Sequence, residues 1–402
     1  VKVIEIETIR PGVQPNLCLV RLHTDTGLSG LGEAFYCAAA VEVYLHSEVA
    51  PLLLGAVNPA PEAIGRLLTP YVGYQSGGIE QRGNGAIDMA LWDLLGLQTG
   101  QPIVRLLGGA ARDGIRIYNT CAGPDYVSST MRQNSTNWGL PPASRTAQYE
   151  DLQGFLTRPG ALARELADEG ITGMKIWPFD MAAERTGGVD LSVNELAAGV
   201  GILEAIRTEV GWDMDVMIEL HGLWNRRSAT RIAHALAGLR PYWIEDPLRP
   251  DAVDALAALR AEIDVPIATG ETCFGRRGLL PLLQRGAVDF VTVDVGWTGG
   301  LTEAKKVADL ADTFTVPVAP HDCTGPVSLA VAAHLACAQQ NGLVQETTRA
   351  WLRTWYTEIA EGLPEVSDGF LRLSDRPGHG VRLRGDLGAN GAVQTRSTRW
   401  QG

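Results

Sequence analysis

No two cysteines of this chain stand in a C-x-x-C spacing. Cys18, Cys37, Cys121, Cys273, Cys323 and Cys337 are spread over more than 300 residues. The usual dithiol and cysteine-rich metal motifs are thereby excluded, and the expectation is reduced thiols in a cytoplasmic protein. No apolar run approaches the ~18 residues needed to cross a bilayer. The stretch VKVIEIETIR alternates like a strand and lacks the basic-then-apolar order of a secretory signal. Basic charge is also scarce: 34 Lys and Arg stand against 46 Asp and Glu, a formal net charge of −12. Nucleic acids and anionic membranes require a basic face, so neither is expected as a partner. A small anionic substrate stays open, because a few local cations can outweigh a global charge.

What is present is a chain of 402 residues, 45% hydrophobic and 20% charged, with ample material for a large core. That length accommodates a barrel of about 250 residues and a smaller domain. VKVIEIETIR and NLCLVRLHTDTGLSGLGEAF carry period-2 alternation around a TDTG turn, and GNGAIDMALWDLLGLQTGQP has helical spacing closed by Gly100 and Pro102. From about residue 114 the texture changes to short β-type runs separated by amphipathic helices. The runs are 115–119, 173–177, 215–219, 242–245, 266–270, 289–294, 316–320 and 343–346. Eight such runs with helices between them indicate a parallel α/β fold, and eight is the number that closes a barrel. Residues 122–155, rich in Ser, Asn, Pro and Thr, interrupt the rhythm as a long insertion after the first run.

Chemistry collects at the ends of these runs. IELHG supplies Glu219, YWIEDPL supplies Glu245 and IATGET supplies Glu271, at steps of 26 residues, one βα unit each. In a parallel barrel all strand ends open on one face, so the three carboxylates should converge. Any one of them alone could cap a helix or pair with an arginine. Three together repel unless a cation stands among them, and an all-oxygen set suits a hard divalent ion, Mg²⁺ first. The next ends carry Asp294 (DFVTVD), His321 (VPVAPH) and Glu346 (LVQE), with Lys175 on the second run. Asp294 one unit before His321 places a carboxylate where it can orient an imidazole for general-base work. Among the other histidines, His234 and His334 read as helix packing residues, and His23, His46 and His379 as surface or loop positions.

The motifs GAIDMALWDLLG with RLLGG, WIEDPL, ATGE, VDVGWTGGLTEA, PHDCTGP and the Glu of QET, in that order over about residues 3–385, resemble the enolase superfamily. Within it the chain is similar to the mandelate racemase-like branch of acid-sugar dehydratases, with a galactonate-dehydratase-like character. The resemblance implies an α+β capping domain at 1–112 and a modified TIM barrel, (β/α)7β, at 113–360. A C-terminal segment at 361–402 would return to the capping domain and end in a surface tail. It implies Mg²⁺ on Glu219, Glu245 and Glu271, and removal of a proton alpha to a carboxylate with the metal stabilising the enediolate. The substrate is then a sugar acid, an aldonate or aldarate. Lys175 would meet its carboxylate, and Glu346 would donate a hydrogen bond to it. His321 would take the C2 proton, and His221 would protonate the departing 3-hydroxyl, giving a 2-keto-3-deoxy acid. His221 could instead serve as a partner of the metal ligands. Tyr36 and Tyr74 are candidates to close over the substrate. Family members assemble as dimers or octamers.

Three positions depart from the branch pattern. Its racemases carry a second lysine two residues after the first, and here that residue is Trp177. The first ligand, commonly aspartate, is Glu219. The 122–155 insertion is additional. A racemase, epimerase or cycloisomerase of the same superfamily is the alternative, although a racemase needs an acid–base group on both faces of the alpha carbon. A binding protein that kept only the barrel would have no need of the Asp294–His321 pair.

Overall fold

The computed structural model describes residues 1–69, 77–140, 148–387 and 392–402. Tyr74 and residues 141–147 of the insertion lie outside them. Strands β1 (Val3–Pro11), β2 (Leu17–Thr24) and β3 (Ser29–Phe35) form an antiparallel meander. The helix Ile79–Thr99 packs on β3 at very short range. A Cβ at Gly30 or Gly32 would fall about 2 Å from the carbonyl oxygens of Ala90 and Ala86, so only glycine permits this approach.

The barrel strands are β4 (Ile115–Thr120), β5 (Gly173–Ile176), β6 (Asp215–Glu219), β7 (Trp243–Glu245), β8 (Ile267–Thr269), β9 (Phe290–Val291) and β10 (Gln345–Thr347). Successive pairs from β4 to β9 are parallel, and β10 pairs with β4 in parallel. The expected seventh strand, 316–320, is reduced to isolated bridges, Val291 with Val318, Asp294 with His321, and Val318 with Gly342. Pro317 and Pro320 have no N–H to give to a ladder, which explains the reduction. Their carbonyls still accept from Val291 and Glu346, and so the ring closes. The result is the expected modified (β/α)7β barrel, its last strand followed only by the short helices Arg349–Leu352 and Trp355–Ile359.

Strand periodicity sets the interior in layers. Tyr118, Met217, Trp243, Ala268, Ala319 and Val344 pack into one buried cluster inside the ring. Thr120, Glu219, Glu245, His321 and Glu346 each follow a member of that cluster by two residues, and therefore form the next layer up, at the C-terminal mouth. The same alternation that fills the floor with apolar groups aims the polar ones at the opening.

The capping sheet is tied to the barrel by carboxylates at helix N-termini. Glu33 of β3 accepts the backbone N–H groups of Val327 and Ser328, both at 2.9 Å, at the start of the helix Pro326–Ala338. Asp88 accepts the N–H of Thr302, also at 2.9 Å, at the start of the helix Leu301–Thr313. The positive ends of two barrel helices are thus answered from the other domain. The C-terminal segment crosses back. Phe370–Arg372 pairs with β4, while Val393–Arg399, expected as a surface tail, is an edge strand antiparallel to β1. Its sequence, VQTRSTR, has no apolar face because most of its residues stay exposed, so no burial signal marked it.

Three histidine expectations also change. His46 and His379 are buried: His46 bridges Thr8 and Thr398, and Nε2 of His379 lies 2.8 Å from the Leu31 carbonyl. Their partners arrive from distant sequence, which local reading does not see. His234, placed in a helix core from the sequence, is exposed on its helix.

Candidate active site

Glu219 and Glu245 are register partners on β6 and β7, and Glu271 follows the β8 end after Gly270. Each of the three offers an oxygen within 4.8 Å of the others. Glu219 is locally fixed. Its Oε1 accepts the backbone N–H groups of Leu220 at 3.0 Å and His221 at 2.6 Å, which leaves Oε2 for other partners. Oε2 of Glu245 accepts the indole N–H of Trp243 at 2.8 Å. Lys175 stands in register with Met217, two residues below Glu219, and its long side chain rises from the floor. Its Nζ lies 3.1 Å from Glu245, 3.4 Å from Glu219 and 2.9 Å from Glu346.

One ammonium does not balance this set. Burial pushes Glu245 up to about 8 despite Lys175, with Glu219 and Glu346 adding to the rise. A further cation is required for the cluster to be fully ionised. The donor set is all oxygen, close and buried, and fits a hard divalent ion. Ligation by Glu219, Glu245 and Glu271 is therefore compatible with the groups present.

Across the mouth, Nδ1 of His321 lies 2.8 Å from Oδ2 of Asp294, and Nε2 lies 3.2 Å from Glu271. The other Asp294 oxygen accepts the Trp297 backbone N–H at 2.7 Å, so both oxygens are held. Burial disfavours a charged imidazole here, but Glu271, Glu346 and Asp294 together raise His321 well above its ordinary value.

His221 sits in the left-handed region, φ 49, at the turn after Glu219. Its Nδ1 is 2.8 Å from Oδ2 of Asp180, a close charge contact whose angle is not that of a hydrogen bond. Burial opposes the charged ring, yet Asp180 and Glu219 outweigh it and bring His221 up to about 9. Trp177 packs against His221 at 6.0 Å and against Tyr126 and Phe155, both at 5.1 Å between ring centroids.

Glu346 departs from the expected hydrogen-bond donor. It accepts from the Thr120 hydroxyl, from Lys175 and from the Asp322 N–H at 3.1 Å. Burial works against its charge, but Lys175 and His321 prevail and hold it down at about 2. Three donors converge on it in this structure.

Lys175, Glu219, His221, Glu271, His321 and Glu346 line one cavity of about 720 Å³. Tyr36 and Arg82 enter it from the capping domain, and Tyr126, Met131 and Gln133 from the insertion. Sequence reading missed Asp180, Asp246, Arg82, Gln133 and Trp297. Asp246 follows Glu245 directly in WIEDP and accepts from the Thr269 hydroxyl, and Trp297 lies three residues after Asp294. Proximity to a recognised motif could have flagged both. Arg82 and Gln133 carry no local signal, because they reach the mouth from other parts of the fold.

Comparison with known proteins agrees with this architecture. Residues 159–387 match the enolase C-terminal domain-like family, and residues 7–108 match the N-terminal domain of mandelate racemase and muconate lactonizing enzymes. A D-mannonate dehydratase of Sphingomonas sp. (strain SKA58) is 27% identical, over 96% of this chain and 94% of that protein. A D-xylonate dehydratase of Haloferax volcanii is 28% identical, over 91% and 82% respectively. Among solved structures, an enolase of the mandelate racemase subgroup from Agrobacterium tumefaciens superposes with a TM-score of 0.88 at 38% identity, covering 99% of both chains. The capping sheet, the barrel mouth and these matches together make the chain an enzyme of the enolase superfamily, in its mandelate racemase and muconate lactonizing branch.

Proposed function

We propose that this enzyme is a hydro-lyase that converts a sugar acid, an aldonate or aldarate, to a 2-keto-3-deoxy acid. The observation that carries the reading is the pair of imidazoles, His321 and His221, opening on one cavity with Lys175, Glu219, Glu271 and Glu346. Relatives named for mannonate, galactonate, xylonate and arabinonate dehydration support the substrate class.

Mg²⁺, held by Glu219, Glu245 and Glu271, would supply positive charge to offset the negative charge that develops on the substrate carboxylate. Lys175 adds a fixed cation for the same carboxylate, and Glu346, through its contact with Nζ, positions that lysine. Asp294 holds Nδ1 of His321 so that Nε2, unprotonated once a bound cation offsets Glu271, would be the nitrogen that accepts the C2 proton. His221, next to Asp180, gives its proton to the 3-hydroxyl, which leaves as water. The enol then tautomerises to the ketone. Trp177 occupies the place of a second lysine, and its packing leaves no acid–base group there, which favours dehydration over racemisation. Tyr36 lines the cavity and helps enclose the substrate. All six cysteines are free thiols, in keeping with a cytoplasmic location, and a homo-oligomeric assembly completes the proposal. Among the described residues no helix is long and apolar enough to cross a membrane.

The test is a panel of aldonates and aldarates with Mg²⁺ in D₂O, followed by NMR. Loss of water with formation of a 2-keto-3-deoxy acid is expected for at least one. Exchange at C2 without water loss would move the assignment to a racemase or epimerase. Absence of both across the panel would reject it.

A further inference from the structure

The cavity is crowded with carboxylates, yet two of its cations, the partly buried Arg82 and the exposed Arg277, have no acidic partner among the described residues. Arg82, on the first turn of the helix Ile79–Thr99, lines the cavity, and among the described residues its side chain makes no ion pair and donates no hydrogen bond. Its Nε is buried without a partner. Asp294 is the carboxylate whose charge acts on Arg82, but both Asp294 oxygens are already committed to His321 and the Trp297 N–H. Burial and isolation make such a guanidinium costly unless something pairs with it.

Its surroundings fix its direction. The guanidinium carbon lies 5.3 Å from the centre of the Trp297 ring, a cation–π distance. Trp297 in turn packs against His321 at 4.9 Å and Tyr36 at 5.7 Å. The indole N–H of Trp297 is likewise buried without a partner. Two orphan donors therefore belong to one stack, Arg82 over Trp297 and Trp297 against His321. A substrate whose first carboxylate meets Lys175, and whose C2 faces His321, would extend its other end along Trp297 toward Arg82. A planar guanidinium matches a carboxylate by two parallel N–H···O bonds.

We infer that Arg82, supported by Trp297, is a subsite for a second carboxylate at the distal end of the substrate, so that the enzyme acts on a sugar diacid in preference to an aldonate. This rests on the sugar-acid dehydratase reading and narrows it. A site built to pair a charge discriminates strongly against an analogue that lacks it, because the site's own groups are then left unpaired.

The experiment compares kcat/KM of the Mg²⁺-loaded enzyme for six-carbon aldarates, for the aldonates of matched stereochemistry, and for aldarates amidated at the distal carboxylate. The wild type is expected to favour an aldarate over its aldonate and its monoamide by at least about 10-fold. In Arg82→Met the ratio should fall about 10-fold, toward unity, carried mainly by KM, and Arg82→Lys should recover part of it. The amide comparison needs only the wild-type protein, so it decides the matter even where a variant folds poorly. Aldonate turnover equal to or better than that of every aldarate would overturn the subsite and leave the dehydratase reading intact. Absence of C2 exchange and dehydration with all the compounds would overturn both.

Discussion

Nδ1 of His221 stands 2.8 Å from Oδ2 of Asp180, and that same oxygen accepts the side-chain N–H of Gln133 at 3.0 Å. Tyr126 donates its hydroxyl to Gln133 at 3.1 Å. The 122–155 insertion thus reaches the mouth of the barrel through a carboxylate in close charge contact with an imidazole. On the proposed assignment, Asp180→Asn should slow dehydration by about 10-fold or more while C2 exchange continues, since His321 is untouched. Comparing deuterium uptake with keto-acid formation checks this. Equal loss of both would show that Asp180 serves the fold rather than the acid.

The two histidines should separate by the same pair of readouts. His321→Asn is expected to reduce C2 exchange by at least about 100-fold, the scale of a lost general base. His221→Asn is expected to stop product formation and leave exchange measurable. If His221→Asn turns over at the wild-type rate, the acid has been misassigned.

Much of this site was legible from the residues alone, for a physical reason. Parallel strands end on one face, so Glu219, Glu245, Asp294, His321 and Glu346 could be collected by finding strand ends. Lys175 was legible as a lone cation within its run. What stayed hidden depends on contacts between distant segments. Arg82 comes from a capping helix and Gln133 from an insertion with no regular pattern. Glu346 was visible as a position, but its acceptor character comes from Thr120, Lys175 and Asp322 meeting it in space. The edge strand at Val393–Arg399 escaped because its pairing leaves its side chains in water, and periodicity reports burial rather than pairing.

Removing one carboxylate should expose the metal requirement. Glu245→Gln keeps the size of the side chain and its contact with Trp243, but removes a charge from the ligand set. Affinity for Mn²⁺, followed by electron paramagnetic resonance as a stand-in for Mg²⁺, should fall by more than about 10-fold. Chelation of the wild type should abolish turnover, and Mg²⁺ should restore it. Wild-type affinity in Glu245→Gln would refute the ligand set.

The acid limb of stability should trace to a histidine far from the mouth. His334 is buried in the helix Pro326–Ala338, and its Nδ1 accepts the backbone N–H of Val104 at 3.1 Å. That bond needs an unprotonated Nδ1. Burial pushes His334 down to about 3, and the neighbouring His379 adds to the drop. The folded value therefore lies below the unfolded one of about 6.5, and the unfolded chain binds the extra proton between them. Stability from this group is complete above about pH 6.5 and is lost as the pH falls toward 3, at up to about 1.4 kcal/mol per pH unit. Urea titrations from pH 7 to pH 4 should show this slope in the wild type. His334→Gln should be less stable at pH 7 because its packing and its acceptor are disturbed. Its decline with acid should nonetheless be shallower, because the buried titrating group is gone. The slope is the informative quantity, and a variant as steep as the wild type would place the acid sensitivity elsewhere.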